Sequence, residues 1–155
     1  MAEPPDFFQA MSGALDEDAA RQMVMRTPQT EALGFQFLSV SSGRGAIRAP
    51  WRADLVGDPE TQVIASGVVT TLLDHVCGLS IRAAEAVPQG TLDLRIDYMR
   101  PARARADLVA EGHCYKLTRT IAFVRAQAHD GDPDDPVATA QAAFALREGG
   151  AAWGR

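Results

Sequence analysis

The sequence of 155 residues carries a formal net charge of −5 and is 46% hydrophobic. This length suits one domain with its own core, and no uncharged apolar run of about 18 residues is present to span a membrane. The acidic balance argues against general nucleic-acid binding, because phosphate backbones require clustered cations. The two cysteines form neither a disulfide framework nor a CxxC metal site, and the acidic N-terminus lacks the pattern of a secretory signal, so we expect a cytoplasmic protein.

The N-terminal part of the chain is typical of an amphipathic helix. "DEDAARQMVMR" has acidic residues early and Arg26 late, as the helix dipole prefers, and Thr27-Pro28 ends the pattern. "LGFQFLSVSSGRGAIRAP" then predicts two strands joined by a turn at "SSGRG", and "WRADLVGDPETQ" predicts a loop. The chain therefore divides into an N-terminal helical extension, a main domain and a C-terminal tail, at 1–30, 31–148 and 149–155.

The segment "VIASGVVTTLLDHVCGLSI" predicts one long helix from Ser66 to about Ala86, with Ser66 as its N-cap. Asp74 is the only formally charged residue between Ser66 and Ile81. At about 100° per residue, it points away from an aliphatic face that should pack on a sheet and towards small, uncharged neighbours. No other element of the chain is evident to cover that second face, so we expect a partner subunit to cover it. The two faces consist of Val69, Leu72, Leu73, Val76 and Ser80, and of Thr70, Cys77, Gly78 and Ile81.

Four strand-like runs follow the helix: "TLDLRIDY", "ADLVAEGHCYKL", "TIAFVRAQAH" and "PVATAQAAFAL". In the first run apolar and polar side chains alternate strictly, which predicts Thr91 on the face opposite Leu94. "HDGDPDDP" is a turn between the last two runs, and its carboxylates, Asp130 among them, are expected to be solvated. One long helix beside a mostly antiparallel sheet predicts an α+β architecture.

A carboxylate that is half-buried in an interface is costly unless it is hydrogen-bonded, paired or chemically useful. Asp74 is therefore a candidate general base, and a structural aspartate bonded to backbone amides or to His75 is the alternative. His75 lies about 100° further around the helix, which excludes a Ser-His-Asp triad, and we interpret it as a structural or interface histidine. His113 and His129 lie in strand-like runs without spaced partners, so we expect no metal site.

The predicted helix offers a second chemical feature at its N-terminus. "ASG" (Ala65, Ser66 and Gly67) supplies free backbone N–H groups where the dipole is positive, and Gly67 allows a ligand to approach closely. Such a terminus can bind an oxyanion or a polarised carbonyl. Asp74 lies about 10 Å further along the helix axis. The two groups would therefore act on one atom if they came from different chains, across a two-fold interface.

"GVVTTLLDHVCG" followed by "TLDLRIDYMRPARA" resembles the hotdog-fold acyl-CoA thioesterases of the PaaI-like, phenylacetate-degradation type. The resemblance covers roughly Leu33 to Leu146. It implies an α+β hotdog fold, in which a five- to six-stranded antiparallel sheet wraps a long central helix, here with an extra N-terminal helix. It also implies hydrolysis of an acyl-CoA thioester without cofactor or metal, in a homodimer with active sites between the subunits. Further pairing into a tetramer stays open.

The resemblance assigns roles by position. Asp74 matches the catalytic carboxylate, as general base or nucleophile. Gly67 matches the glycine whose amide polarises the thioester carbonyl, and Thr91 matches the residue that helps to hold the nucleophilic water. Asp58 and Ala65 replace the Asn of an Asn-Pro pair and the His of His-Gly-Gly, two departures that bear on activity. The expected substrate contacts are Asp58, Ala65, Ser66, Val68, Arg100, Arg103 and Arg119.

The arginines of "RIDYMRPARAR" have two interpretations: solvated side chains after a strand, or a docking place for a phosphorylated small molecule. The resemblance favours contact with the CoA phosphates for this segment and for Arg119. The acyl group is expected against an apolar wall formed by Val68, Leu72, Ile81, Met99 and Phe123.

Two alternatives to hydrolysis stay open. The departures at Asp58 and Ala65 allow a non-catalytic acyl-CoA-binding or regulatory dimer. A hotdog hydratase or dehydratase is the other alternative, although such enzymes typically pair an Asp with a His in a different segment, and no such segment is visible.

Overall fold

The computed structural model describes residues 15–147, in which a six-stranded antiparallel sheet packs against one long helix. The helices of this part of the chain are α1 (Glu17–Met25), α2 (Pro28–Leu33) and α3 (Ser66–Ala83). The strands are β1 (Gln36–Ser41), β2 (Arg44–Ala49), β3 (Val56–Asp58), β4 (Val63–Ile64), β5 (Pro88–Tyr98), β6 (Leu108–Leu117), β7 (Ile121–His129) and β8 (Ala138–Leu146). The main sheet has the order β1-β2-β6-β7-β8-β5, and β3 and β4 form a separate hairpin.

The predicted α+β hotdog fold is confirmed, because the long helix lies on an antiparallel sheet of six strands and an additional helix precedes them. Each predicted strand is present. Two predictions need correction. α3 ends at Ala83 rather than Ala86, since Glu85 adopts a left-handed φ of 63° that a helix cannot continue. The predicted loop before α3 contains a 3-10 turn at Ala53–Leu55 and the β3–β4 hairpin.

The predicted extension at 1–30 contains α1, and α2 continues beyond it to Leu33. Asp16 caps α1 by accepting a hydrogen bond from Ala19 N at 2.7 Å. Residues 1–14 and the predicted tail at 149–155 lie outside the described residues. None of the helices in the described part is long and apolar enough to cross a membrane.

The aliphatic face predicted for α3 is the face that packs on the sheet, and all five of its residues are buried. The helix lies so close to β6 that Gly112 has no room for a side chain. A Cβ atom at Gly112 would clash with Ser80 Oγ and lie 3.0 Å from the Val76 carbonyl oxygen. Ser80 Oγ in turn donates to that carbonyl at 2.8 Å. Glycine in β6 therefore sets the distance between helix and sheet.

The second face of α3 is covered in part by the chain itself, which corrects the expectation that a partner subunit must cover it. α1 packs against this face, and Ala20 and Val24 of α1 are fully buried. A Cβ atom at Gly78 would lie 3.6 Å from Met23 Cε. His75 Nε2 lies 3.3 Å from the Met23 carbonyl oxygen, and burial lowers the pKa of His75. The N-terminal helix explains why this helix face has small residues.

Candidate active site

Asp74 lies half-buried in the middle of α3, beside the edge strand β5. Thr91 Oγ1 donates to Asp74 Oδ1 at 2.8 Å. The second carboxylate oxygen, Oδ2, has no hydrogen-bond partner among residues 15–147. The hydroxyl fixes the orientation of the carboxylate and leaves one oxygen able to accept a proton.

The contact between Thr91 and Asp74 depends on a bulge in β5. The register shifts between Thr91 and Asp93, so that Leu92 is an extra residue with 61% of its surface exposed. Strict alternation predicted Thr91 on the face opposite Leu94, and that prediction is wrong, because the extra residue puts both side chains on the helix side of the strand. The bulge is what lets a strand hydroxyl reach the helix carboxylate.

The N-terminus of α3 has no side-chain cap. Ala65 is the N-cap residue, and its carbonyl accepts hydrogen bonds from Val68 N at 3.0 Å and Val69 N at 3.3 Å. The predicted cap, Ser66, is instead the first helical residue, because the helix starts from the carbonyl of Ala65. A Cβ atom at Gly67 would meet nothing within 4 Å. The Gly67 N–H therefore belongs to an open, uncapped first turn that a ligand can approach.

The β3–β4 hairpin brings Asp58 to the start of α3. Asp58 pairs with Val63 across the hairpin, and a Cβ atom at Gly57 would lie 2.9 Å from Ala65 Cα. The exposed Asp58 carboxylate turns back on its own loop and accepts from Glu60 N at 3.0 Å. The two positions that depart from the family pattern, Asp58 and Ala65, thus belong to one local structure.

Two hydroxyl groups beside Gly67 were missed by the sequence reasoning. Tyr98, the last residue of β5, donates from Oη to the Ser66 carbonyl oxygen at 3.1 Å, and its Oη lies 2.6 Å from Thr70 Oγ1. Thr70 Oγ1 also donates to Ser66 O, at 3.1 Å. Thr70 precedes Asp74 by one helical turn, and this spacing of polar residues in an apolar helix was the available signal.

The arginines after β5 differ in what they contact. Arg100 makes two hydrogen bonds to the Asp130 carboxylate, at 2.8 and 3.0 Å, and also pairs with Asp135. The backbone N–H of Arg103 donates to Asp130 as well, at 2.7 Å. The side chain of Asp130 is completely buried, so the expectation that it is solvated is wrong. Arg119, in contrast, lies exposed in the turn between β6 and β7 without an ion-pair partner among the described residues.

The expected acyl wall is present only in part. Leu72 and Ile81 are fully buried in the hydrophobic core, and Val68 is nearly so. Met99 is 61% exposed at the end of β5, and Phe123 is half-buried in β7. Leu72 and Ile81 are therefore core residues rather than pocket residues.

A cavity of about 430 Å³ lies away from Asp74, on the sheet face opposite α3. Most of its lining side chains belong to two rows that cross the strands of this sheet face, and residues that are neighbours in a row pair across adjacent strands. One row is basic and the other acidic. The basic row is Arg44, His113, Arg125, Gln141 and Arg95, and the acidic row includes Glu111, Gln127, Thr139 and Asp97.

Known proteins with similar sequences and folds include thioesterases and esterases. The family model described as Thioesterase superfamily matches residues 62–137. A proposed esterase of Halobacterium salinarum is 30% identical over 119 residues, which span 72% of this chain and 78% of that protein. Human acyl-coenzyme A thioesterase 13 is 33% identical over 58 residues, or 37% of this chain and 41% of that protein. A mutant of the phenylacetic acid degradation protein PaaI from Thermus thermophilus is 26% identical, with a TM-score of 0.67 over 77% of this chain and 98% of the other.

Proposed function

The chain belongs to the thioesterase superfamily, and we propose that it hydrolyses an acyl-CoA thioester to the free acid and CoA. The observation that supports this most is the Asp74 carboxylate, oriented by Thr91 and with one oxygen free, beside an open helix terminus. The similarity to a protein named acyl-coenzyme A thioesterase 13 supports CoA as the carrier thiol.

In the general-base route, Asp74 accepts a proton from water as the water oxygen bonds to the thioester carbon. Thr91 donates to Asp74, and the lone pairs of its hydroxyl remain free to accept a hydrogen bond from that water. The Gly67 N–H stabilises the negative charge on the carbonyl oxygen. The C–S bond then breaks, and the leaving thiolate takes up the proton. In the nucleophile route, Asp74 attacks the same carbon, releases the thiolate, and water hydrolyses the resulting anhydride.

Both routes need two chains, because the two groups lie at opposite ends of β5. Thr91, which bonds Asp74, is near the beginning of the strand, and Tyr98, which bonds the residue before Gly67, is its last residue. β5 is an edge strand of 11 residues, and Leu92 and Tyr98 are at least half exposed on it. Antiparallel pairing of β5 with its own copy about a two-fold axis would bring the Thr91 end of one protomer to the Tyr98 end of the other. Asp74 would then face the partner's Gly67.

A tetramer is the larger assembly that the charge pattern supports. On the outer face of the sheet the basic and acidic rows lie side by side, two residues apart along each strand. If a two-fold axis lies between the two rows and runs parallel to them, the basic row of one dimer lies opposite the acidic row of the other. Arg95 would then meet the partner's Asp97, and His113 the partner's Glu111. This face can therefore join two dimers through self-complementary charge.

One end of the sheet provides an exposed cation for the phosphates of CoA. Arg119 lies at the Thr91 end, since the neighbouring Ile121 pairs with Ala145 and Ala145 pairs with Gly90. Its exposed guanidinium is the proposed phosphate contact. Arg100 is committed to buried Asp130 and is not used in this proposal.

A cytoplasmic location is supported by the cysteines. Cys77 and Cys114 are both free and buried. Burial raises the pKa of Cys77 to about 12, which makes its thiol unreactive. Free thiols suit a reducing compartment.

The experiment that tests this function is release of free thiol from acyl-CoAs that range from acetyl through aryl to long-chain. Turnover on at least one of them is expected, and the best substrate identifies the acyl class. Thermal stabilisation by acyl-CoA without any thiol release would instead favour the non-catalytic binding dimer that Asp58 and Ala65 suggest.

Hybrid dimers test whether the sites lie between subunits. Asp74→Asn removes the base, and Gly67→Leu places a bulky side chain next to the amide, at a position where a Cβ atom would meet nothing within 4 Å. Each variant alone is expected to be nearly inactive. When the two are co-expressed in equal amounts, half of the dimers are hybrids, and one of the two sites in each hybrid combines Asp74 with an intact Gly67. The mixture should therefore recover about a quarter of wild-type turnover.

A site within one chain would give a different result, since every chain in the mixture carries one of the two changes. Turnover no higher than that of the single variants would contradict the two-chain site. The control is a mixture of Asp74→Asn with itself under two different tags, which should recover nothing.

A further inference from the structure

The two hydroxyl groups beside the helix terminus act on the peptide unit that carries the proposed oxyanion donor. Tyr98 Oη and Thr70 Oγ1 each lie 3.1 Å from the Ser66 carbonyl oxygen and 2.6 Å from each other. The Ser66 carbonyl and the Gly67 N–H are the two ends of one planar, conjugated peptide unit. A hydrogen bond to the carbonyl draws electron density towards its oxygen, which makes the N–H at the other end a stronger donor.

Each hydroxyl has a single hydrogen, and this limits how the three oxygens can bond. If the two hydroxyls bond each other, one of them uses its hydrogen for that bond, and the other hydrogen still reaches Ser66 O. If the two hydroxyls do not bond each other, both of their hydrogens reach Ser66 O. In every arrangement the Ser66–Gly67 peptide is polarised by at least one hydroxyl from Tyr98 or Thr70.

We propose, building on the thioesterase function above, that Tyr98 and Thr70 are positioning residues for the Gly67 amide. They hold the plane of the Ser66–Gly67 peptide and strengthen its N–H as a donor to the thioester oxygen. Because Tyr98 belongs to β5, the same strand orients Asp74 through Thr91 and the amide through Tyr98. The position of β5 therefore affects both the Asp74 carboxylate and the Gly67 amide.

The next peptide unit provides a matched control. Thr71 Oγ1 donates to the Gly67 carbonyl oxygen at 3.0 Å, the same kind of contact that Thr70 makes one residue earlier. That carbonyl shares its peptide with the Val68 N–H, which already donates to Ala65 O at 3.0 Å inside the helix. Polarising this unit strengthens a helix bond and does nothing for a ligand. Thr71→Val should therefore leave catalysis unchanged.

The expected effect follows from two magnitudes. An oxyanion donor is worth about 10²–10³ in kcat, and one hydrogen bond strengthens the next by about 10–30%. Losing that share corresponds to about a two- to eightfold fall in kcat. We expect Tyr98→Phe with Thr70→Val to show this fall on the best acyl-CoA of the panel, with KM changed by less than about twofold. Thr70→Ser, which keeps the hydroxyl, should restore kcat in the Tyr98→Phe background.

A measurement without substrate separates this proposal from the proposed function. In ¹H–¹⁵N spectra, the Gly67 amide should shift upfield in the Tyr98→Phe, Thr70→Val double variant and stay in place in Thr71→Val. Both variants should keep the wild-type assembly size. Three results with an active wild type would overturn this inference and leave the proposed function standing. They are an unchanged kcat in the double variant, a change in KM without a change in kcat, and a Gly67 resonance that does not move. An inactive wild type with the expected shift would overturn the thioesterase function and leave the polarised peptide established.

Discussion

Asp74→Asn is expected to lower kcat/KM for acyl-CoA hydrolysis by about 10²–10⁴-fold while the protein keeps its fold. Asparagine has the shape of aspartate, and its carbonyl oxygen can still accept the hydrogen bond from Thr91. It cannot take a proton from water, nor attack a thioester carbon as a carboxylate does. Thiol release measured with the best acyl-CoA, together with the unfolding temperature, checks both halves of this expectation.

The matched control for this variant is Asp134→Asn, the same chemical change at an exposed turn residue between β7 and β8. It should keep wild-type turnover. If Asp74→Asn keeps it too, Asp74 has no part in the mechanism and its bond to Thr91 is structural.

A single turnover in H₂¹⁸O can reveal the nucleophile route open to Asp74. When water opens the anhydride at Cγ of Asp74, the carboxylate gives one of its oxygens to the acid product and gains one from water, so the peptide that contains Asp74 becomes two mass units heavier, a label that general-base catalysis does not produce. As a general base, Asp74 stays unlabelled and the acid product carries the ¹⁸O.

The residue pattern was sufficient for the helices, the strands and the α+β class because helix and strand periods are local properties, and the hotdog arrangement was implied by the family resemblance. The apolar spacing of α3 and the alternation in β5 to β8 each depend on neighbouring residues alone, and every one of these elements is present. Asp74 was recognisable by its chemistry, as the one charge in an apolar helix. What covers the other side of α3 was not recognisable, because α1 reaches it from about fifty residues away, through Met23 and His75.

The contacts that the sequence did not predict depend either on a β-bulge or on residues that are far apart in the chain. The bulge at Leu92 reverses the face of Thr91, and no residue pattern marks it. Tyr98 was counted as one more apolar residue of an alternating strand, although its hydroxyl is the group that reaches α3. Asp130 was counted as a turn residue because the loop that carries Arg100 lies thirty positions earlier.

Asp130→Asn is expected to lower the free energy of unfolding by about 3–5 kcal/mol, the typical cost of removing one partner of a buried ion pair. The carboxylate accepts from both terminal nitrogens of Arg100 and from the backbone N–H of Arg103. An asparagine would turn its own NH₂ group towards one of these donors. Arg100, whose side chain is only 25% exposed, would then lack half of its neutralising contacts. Urea unfolding measures the difference, and Asp134→Asn in the same turn should be nearly neutral.

Acid provides an independent check on the same pair. The hydrogen bonds from Arg100, and then those from Arg103, hold the pKa of Asp130 far below its usual range. A carboxyl whose pKa is lower in the folded state stabilises the protein fully above its unfolded pKa of about 3.9. That contribution is lost progressively as the pH falls below this value. The stability gap between wild type and Asp130→Asn should therefore be constant from neutral pH down to about pH 5 and shrink below about pH 4. A gap that stays constant on further acidification would show that the ion pair is not what Asp130 contributes.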